Sequence, residues 1–125
     1  MPDLRASPNG VIVALGAFNG AIAVAAGAFA AHALKARLEP RALEVFETGA
    51  RYQMYHALAI VLAGLLGARG ATTAAWIFAA GIALFSGSLY ALALTDLKPV
   101  GAITPFGGLA FLVGWVWLAV AALRA

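Results

Sequence analysis

Cysteine is absent from the 125 residues of the chain, which excludes a disulfide framework, a thiolate metal site and a cysteine nucleophile. Charge is nearly as scarce, with 10% of residues Asp, Glu, Lys or Arg against about a quarter in soluble domains. A soluble fold of this length has more surface than so few polar groups can cover. Lipid must cover the rest. The net charge of +3 is spread along the chain, which suits the flanks of membrane segments and gives no patch for nucleic acid. Histidine occurs only as His32 and His56.

What is present is hydrocarbon in long runs: 64% of residues are hydrophobic and the mean hydropathy is +0.95. After a polar lead from Met1 to Gly10, an uncharged run extends over residues 11–34. At about 1.5 Å per residue it can cross a hydrocarbon core of about 30 Å. It is longer than the apolar core of a signal peptide, and further spans follow, so it reads as a first helix and not as a cleaved leader. Three more spans are expected near residues 52–67, 72–94 and 101–123, separated by Ala68-Arg69-Gly70 and by Asp96, Lys98 and Pro99. The predicted fold is all-α, one integral membrane domain over residues 1–125, built as a four-helix up-down transmembrane bundle.

The connector between the first two spans differs from everything around it. Lys35, Arg37, Glu39, Arg41, Glu44, Glu47 and Arg51 fall within a few turns, and Pro40 suits the first turn of a helix. Leu43, Phe46 and Ala50 recur at helical spacing, while Glu47 and Arg51 are placed as an i, i+4 pair. A short amphipathic segment at the interface, bending or continuing into the second span, accounts for this pattern; a solvated charged loop is the plainer alternative.

Small residues suggest how the helices meet. Gly16 and Gly20 make a Gly-x-x-x-Gly step that Gly27 prolongs, expected to let backbones approach inside the bundle, with contact between subunits as the alternative. Residues 27–34 and 87–94 also share a glycine, two alanines and a final leucine, an echo that two hairpins in parallel repeat would produce.

Alternating spans bring one group of polar residues to the same end of the bundle: His32, Tyr52, Gln53, Tyr55, His56, Ser86, Ser88, Tyr90 and Thr104. Polar groups inside spans are costly without partners, so a hydrogen-bonded cluster is expected there. The opposite end offers Asn19, Arg69, Thr72, Thr73 and Trp76, with Asn19 expected to face a neighbouring helix.

Several stretches carry a family resemblance: Gly27-Ala28-Phe29-Ala30-Ala31-His32-Ala33-Leu34, residues 46–58 from Phe46 to Leu58, Gly87-Ser88-Leu89-Tyr90, and Thr104-Pro105-Phe106-Gly107-Gly108 with Gly114-Trp115. The chain resembles the small four-helix membrane proteins of the transmembrane protein 256 family, also called domain of unknown function 423. Ala30 stands where the family pattern has glycine and Gly49 where it has alanine, both small-for-small exchanges. The resemblance implies the fold over nearly the whole chain and, since the family has no established activity, implies no chemistry.

Function therefore rests on the residues. The leading expectation is a non-catalytic structural or accessory role, in a larger membrane complex or as a homo-oligomer, with the lipid bilayer as the remaining partner. In that case His56→Gln reduces stability more than it changes any spectrum or transport rate. The alternative is a ligand site for haem or lipid around His32 and His56, since imidazoles serve as axial haem ligands, although no cofactor or metal is assigned. Zinc would need carboxylates to complete its tetrahedron. A pore is a third expectation, disfavoured by spans without central charges. A hydrolase lacks a nucleophile elbow at Ser86 or Ser88. Lys35, Arg37, Arg41, Arg51 and Lys98 outnumber Arg5, Arg69 and Arg124, which places the polar cluster on the cytoplasmic side, of the inner membrane if the source is bacterial.

Overall fold

A computed structural model describes residues 7–125, so most of the polar lead, with Asp3 and Arg5, lies outside the described residues. The chain forms α1 (Gly10–His32), α2 (Pro40–Leu66), α3 (Ala71–Thr95) and α4 (Thr104–Leu123), with 3₁₀ turns at Leu34–Ala36 and Lys98–Ala102. Asn9 starts α1 by accepting the Val11 and Ile12 N–H groups on Oδ1. Pro40 occupies the first turn of α2, where its missing N–H is not needed. Gly67, at φ 61°, ends α2, and Gly70, at φ 91°, opens α3, so the four-residue turn between them uses left-handed backbone at two glycines.

The segments Gly10–Ala36, Ala71–Thr95 and Lys98–Leu123 are long and apolar enough to span a membrane. The second helix begins well before the span expected near 52–67, as the alternative in which the connector continues into that span has it. The charged connector continues directly into α2, a single helix of 27 residues and so about 40 Å long. α2 runs antiparallel to α1 along its whole length: the Asn9 N–H bonds the Gly64 carbonyl at one end, and Phe29 meets Phe46 toward the other. The two helices therefore lie side by side over the same stretch, with the charged first turns of α2 beside the end of α1. The Glu47–Arg51 pair does not form; Arg51 Nη2 instead donates to Thr48 Oγ1 at 3.4 Å.

Each helix packs on the next, α1 on α2, α2 on α3 and α3 on α4. α1 and α4 do not pack on each other, so the bundle is open, with α2 and α3 at its centre. Its main core joins Ile12, Ile60, Ala71, Phe78, Ile82 and Phe111, and a second core at the other end joins Ala30, Leu34, Phe46 and Ala93. Many other large side chains face outward: Val11, Phe18, Leu62, Trp76, Leu112 and Val116 are among those more than half exposed. That apolar surface suits lipid and not water.

Glycines set the spacing where helices cross. A methyl group on Gly16 would lie 2.6 Å from Val61 Cγ2 and 2.8 Å from the Ala57 carbonyl, and one on Gly64 2.8 Å from Val13. Gly114 receives the Phe78 ring, and Gly107 lies on the Phe85 backbone. The predicted small-residue stripe is thus only partly an interior feature. Gly16 packs tightly, but Gly20 has one neighbour at 4.0 Å and Gly27 has none within 4 Å. Gly27 and Gly87, matched in the sequence echo, are both open, whereas Leu34 is buried and its counterpart Leu94 exposed.

Gly107→Ala forces a methyl group into the Phe85 backbone and is expected to lower stability by about 1–3 kcal/mol. Gly27→Ala meets nothing within 4 Å and should raise stability by up to about 1 kcal/mol through helix propensity. SDS titration in mixed micelles, followed by far-UV circular dichroism, separates the two; equal effects would show that α3 and α4 do not meet at Gly107.

Candidate functional site

The polar side chains resolve into separate hydrogen-bonded groups instead of one cluster. The first is built on Gln53 at the centre of α2. Its Nε2 donates to Asn19 Oδ1 on α1 at 3.2 Å, and its Oε1 accepts from the Tyr90 hydroxyl on α3 at 2.7 Å. Asn19 in turn donates from Nδ2 to the Leu15 carbonyl at 3.0 Å. Gln53 is buried at 4% exposure, a depth at which an unpaired amide would be costly. One amide therefore ties three helices together.

Ser86 and Ser88 serve other crossings. Ser86 is fully buried and donates to the Gly49 carbonyl on α2 at 2.7 Å. The close approach at Gly49, where an added methyl group would lie 2.9 Å from the Tyr90 ring, brings that carbonyl within reach. Ser88 donates to the Phe85 carbonyl or pairs with Thr104 Oγ1, joining α3 to the start of α4.

His56 forms the centre of an aromatic group. Trp115 Nε1 on α4 donates to His56 Nε2 at 3.1 Å, and His56 Nδ1 lies 2.7 Å from the Tyr52 carbonyl. Because indole can only donate, Nε2 must accept, and the ring proton resides on Nδ1, directed at the carbonyl. The ring stacks on Phe111 with 3.5 Å between centroids and 5° between planes, and Phe78 lies 5.6 Å away. Tyr52 lies tilted against Phe85 at 4.7 Å and edge-on to Tyr55 at 5.5 Å. Tyr52, Tyr55, His56, Phe85, Phe111 and Trp115 border a cavity of about 410 Å³ that opens toward the lipid-facing side.

Of the residues expected to gather, Gln53 and Tyr90 bond each other, as do Ser88 and Thr104, while Ser86 bonds backbone. His56 is bonded but belongs to the aromatic group. Tyr52 and Tyr55 contribute rings rather than hydroxyls, and both are exposed. His32 is not brought to the others: it ends α1, exposed, where a basic side chain suits the negative end of the helix. His56 lies sixteen residues beyond the first residue of α2, about 24 Å along the axis. Two imidazoles so separated in depth cannot approach one iron from opposite faces. Both ring nitrogens of His56 are also already engaged. Among the described residues no three His, Asp or Glu side chains gather at metal-binding spacing.

Asn19 faces a neighbouring helix as expected, but its partner Gln53 was expected at the other end of the bundle; the bond from Trp115 to His56 has no counterpart in the sequence expectations. An amide in an otherwise apolar run was the available signal for Asn19. For Trp115, nothing in the sequence singles out its pairing with His56.

A family model described as a protein of unknown function, DUF423, matches residues 26–108. The chain belongs to this family. The matched region runs from the last turns of α1 to the first turn of α4 and so contains the Gln53–Tyr90 and Ser88–Thr104 bonds. Among relatives, the UPF0382 membrane protein YwdK of Bacillus subtilis is 45% identical over 119 residues, covering 91% of this chain and 97% of the relative. The UPF0382 membrane protein SAB0533 of Staphylococcus aureus is 43% identical over 119 residues, covering 91% and 96%. The UPF0382 membrane protein SERP0230 of Staphylococcus epidermidis is 44% identical over the same length and shares. No solved structure matches the chain. Membership, apolar helices and relatives named as membrane proteins agree that this is a membrane protein of the DUF423 family.

Gln53→Leu leaves the Asn19 amide and the Tyr90 hydroxyl without their partner, and a loss of about 1–3 kcal/mol is expected. Tyr90→Phe removes one of the bonds and should cost about 0.6 kcal/mol, the average for interhelical bonds in bilayers. A double-mutant cycle in mixed micelles reads the coupling; purely additive losses would show that the two groups do not bond. For His56, nitrogen-15 spectroscopy should find the ring proton on Nδ1, and Trp115→Phe should shift the Nε2 resonance. A proton on Nε2 in the unaltered protein is incompatible with the Trp115 bond.

Proposed function

We propose that this protein is a non-catalytic membrane component that acts through its helix surfaces, as an accessory subunit of a larger membrane complex or as a homo-oligomer. The observation that supports this reading most is the free face of α1. α1 packs on α2 alone among the long helices, and its other side exposes Ala14, Ala17, Ala21, Ala25 and Ala28 in a continuous strip. Lipid tails gain nothing from small side chains, whereas another helix gains close backbone contact. The interior supports the same reading from the opposite direction. Among the described residues every buried side-chain nitrogen and oxygen has a partner within the chain, so the polar groups are occupied in fastening helices. A haem site at His32 and His56 is not favoured, given their difference in depth.

The reading includes placement in the cytoplasmic membrane if the source is bacterial, with the α1–α2 connector facing the cytoplasm, as the bias of Lys and Arg toward that end suggests.

Mild-detergent extraction from the native membrane, followed by native mass spectrometry and an absorption spectrum of the same peak, tests the proposal. Larger membrane subunits at fixed stoichiometry, or further copies of this chain, are expected. Ala21→Leu with Ala28→Leu should release them while helicity is retained. A lone chain, with or without a bound small molecule or Soret band, would overturn the accessory reading.

A further inference from the structure

A second cavity lies beyond the His56 group along α4, with Leu112 on the border of both. It is a groove of about 810 Å³ between the start of α3 and the second half of α4, at the end of the molecule that carries the α2–α3 turn. Arg69 and Arg124 stand at its mouth with Thr73 and Trp117, and Val116 and Val120 line its length. Both arginines are exposed, and among the described residues neither is salt-bridged; the ion pair there is Lys98–Asp96, at the opposite end. Glu39, Glu44, Glu47 and Asp96 all lie at that opposite end too, so the described residues place no acidic side chain beside the groove.

Three features of the groove agree on one kind of occupant. Its lining includes two guanidinium groups, which suits an anion. The start of α3 contributes in the same sense, with no acidic residue in its first turn. Its body is aliphatic and opens sideways: Val116 is 65% exposed and Val120 41%, so whatever fills it enters from the lipid side. Its length also fits. From Leu112 to Arg124 the lining follows α4 for about 18 Å along its axis, comparable to half of a hydrocarbon core of about 30 Å. Trp117, whose Nε1 lies near Gly70 at the helix end, occupies the level where indole rings sit between headgroup and tail.

We propose that this groove is a binding site for an anionic phospholipid, its phosphate headgroup held between Arg69 and Arg124 and one acyl chain laid along Val116 and Val120 toward Leu112. Guanidinium groups present planar paired donors that match phosphate oxygens. The site is independent of the α1 face and of any assembly made there, because α1 and α4 do not pack on each other.

The test is native mass spectrometry of the purified full chain, titrated with phosphatidylglycerol, with phosphatidylcholine of identical acyl chains and, separately, with inorganic phosphate. Phosphatidylglycerol should remain bound in preference to phosphatidylcholine. Arg69→Gln with Arg124→Gln should reduce that preference by about 25-fold, roughly fivefold for each cation near an anionic headgroup. Arg69→Lys with Arg124→Lys should retain most of it. Both substitutions are on exposed side chains, and far-UV circular dichroism confirms the fold in each variant. Val116→Phe with Val120→Phe should weaken both lipids together by filling the groove. Equal binding of the two lipids by the unaltered chain would overturn the proposal. So would a preference that survives the glutamine variants, or inorganic phosphate that binds as tightly as the lipid.

Discussion

A hydrogen-bonding group inside a bilayer has no water to fall back on, and Gln53 meets that constraint at the centre of the longest helix. Its amide has a donor side and an acceptor side, and each is used on a different neighbour, Asn19 of α1 and Tyr90 of α3. A shift of α2 by one residue along its axis would break both. The depth of α2 relative to its neighbours is therefore specified by polar geometry, which apolar packing between similar alanine-rich surfaces would specify poorly.

Close backbone approach is the condition for these bonds. Without a hydrophobic drive between helices in lipid, association depends on contact and on the hydrogen bonds contact permits. Gly16 and Gly64 bring α1 to α2, Gly49 brings α2 to Ser86 and Tyr90, and Gly107 and Gly114 bring α4 to α3. The open glycines follow a different logic. Gly27 and Gly87 touch nothing, which leaves strips of backbone accessible on the outer surface of the bundle. The interior is thus closed chemically while the exterior has two distinct features: a face of small side chains on α1 and a cationic groove between α3 and α4. The polar interior keeps that surface in a fixed arrangement.

The His56 group shows how a residue type can mislead about role. Two histidines in a membrane chain invite a haem, yet the imidazole at 56 is stacked on Phe111 and bonded through both nitrogens, to Trp115 and to the Tyr52 carbonyl. It behaves as a polar aromatic that joins α2 to α4, where those helices otherwise scarcely meet. His32 shares nothing with it except its name.

Composition and hydropathy by themselves determined the class: a helical membrane protein, with α1, α3 and α4 placed within a few residues, because the transfer of long apolar runs into lipid is a property of the run and not of its neighbours. Pro40 marks a helix start in the sequence, but charged residues normally end a span, so whether the connector bends before the second span or continues into it was open, and the structure shows one unbroken helix from Pro40. The longer helix sets Gln53 level with Asn19, the amide expected to face a neighbouring helix. Which polar groups bond each other, which glycines are inside, and that α1 and α4 remain apart were decided by the tertiary structure. Those outcomes depend on the rotation and axial offset of each helix, and alanine-rich faces that resemble one another all round carry little of that information in their order of residues.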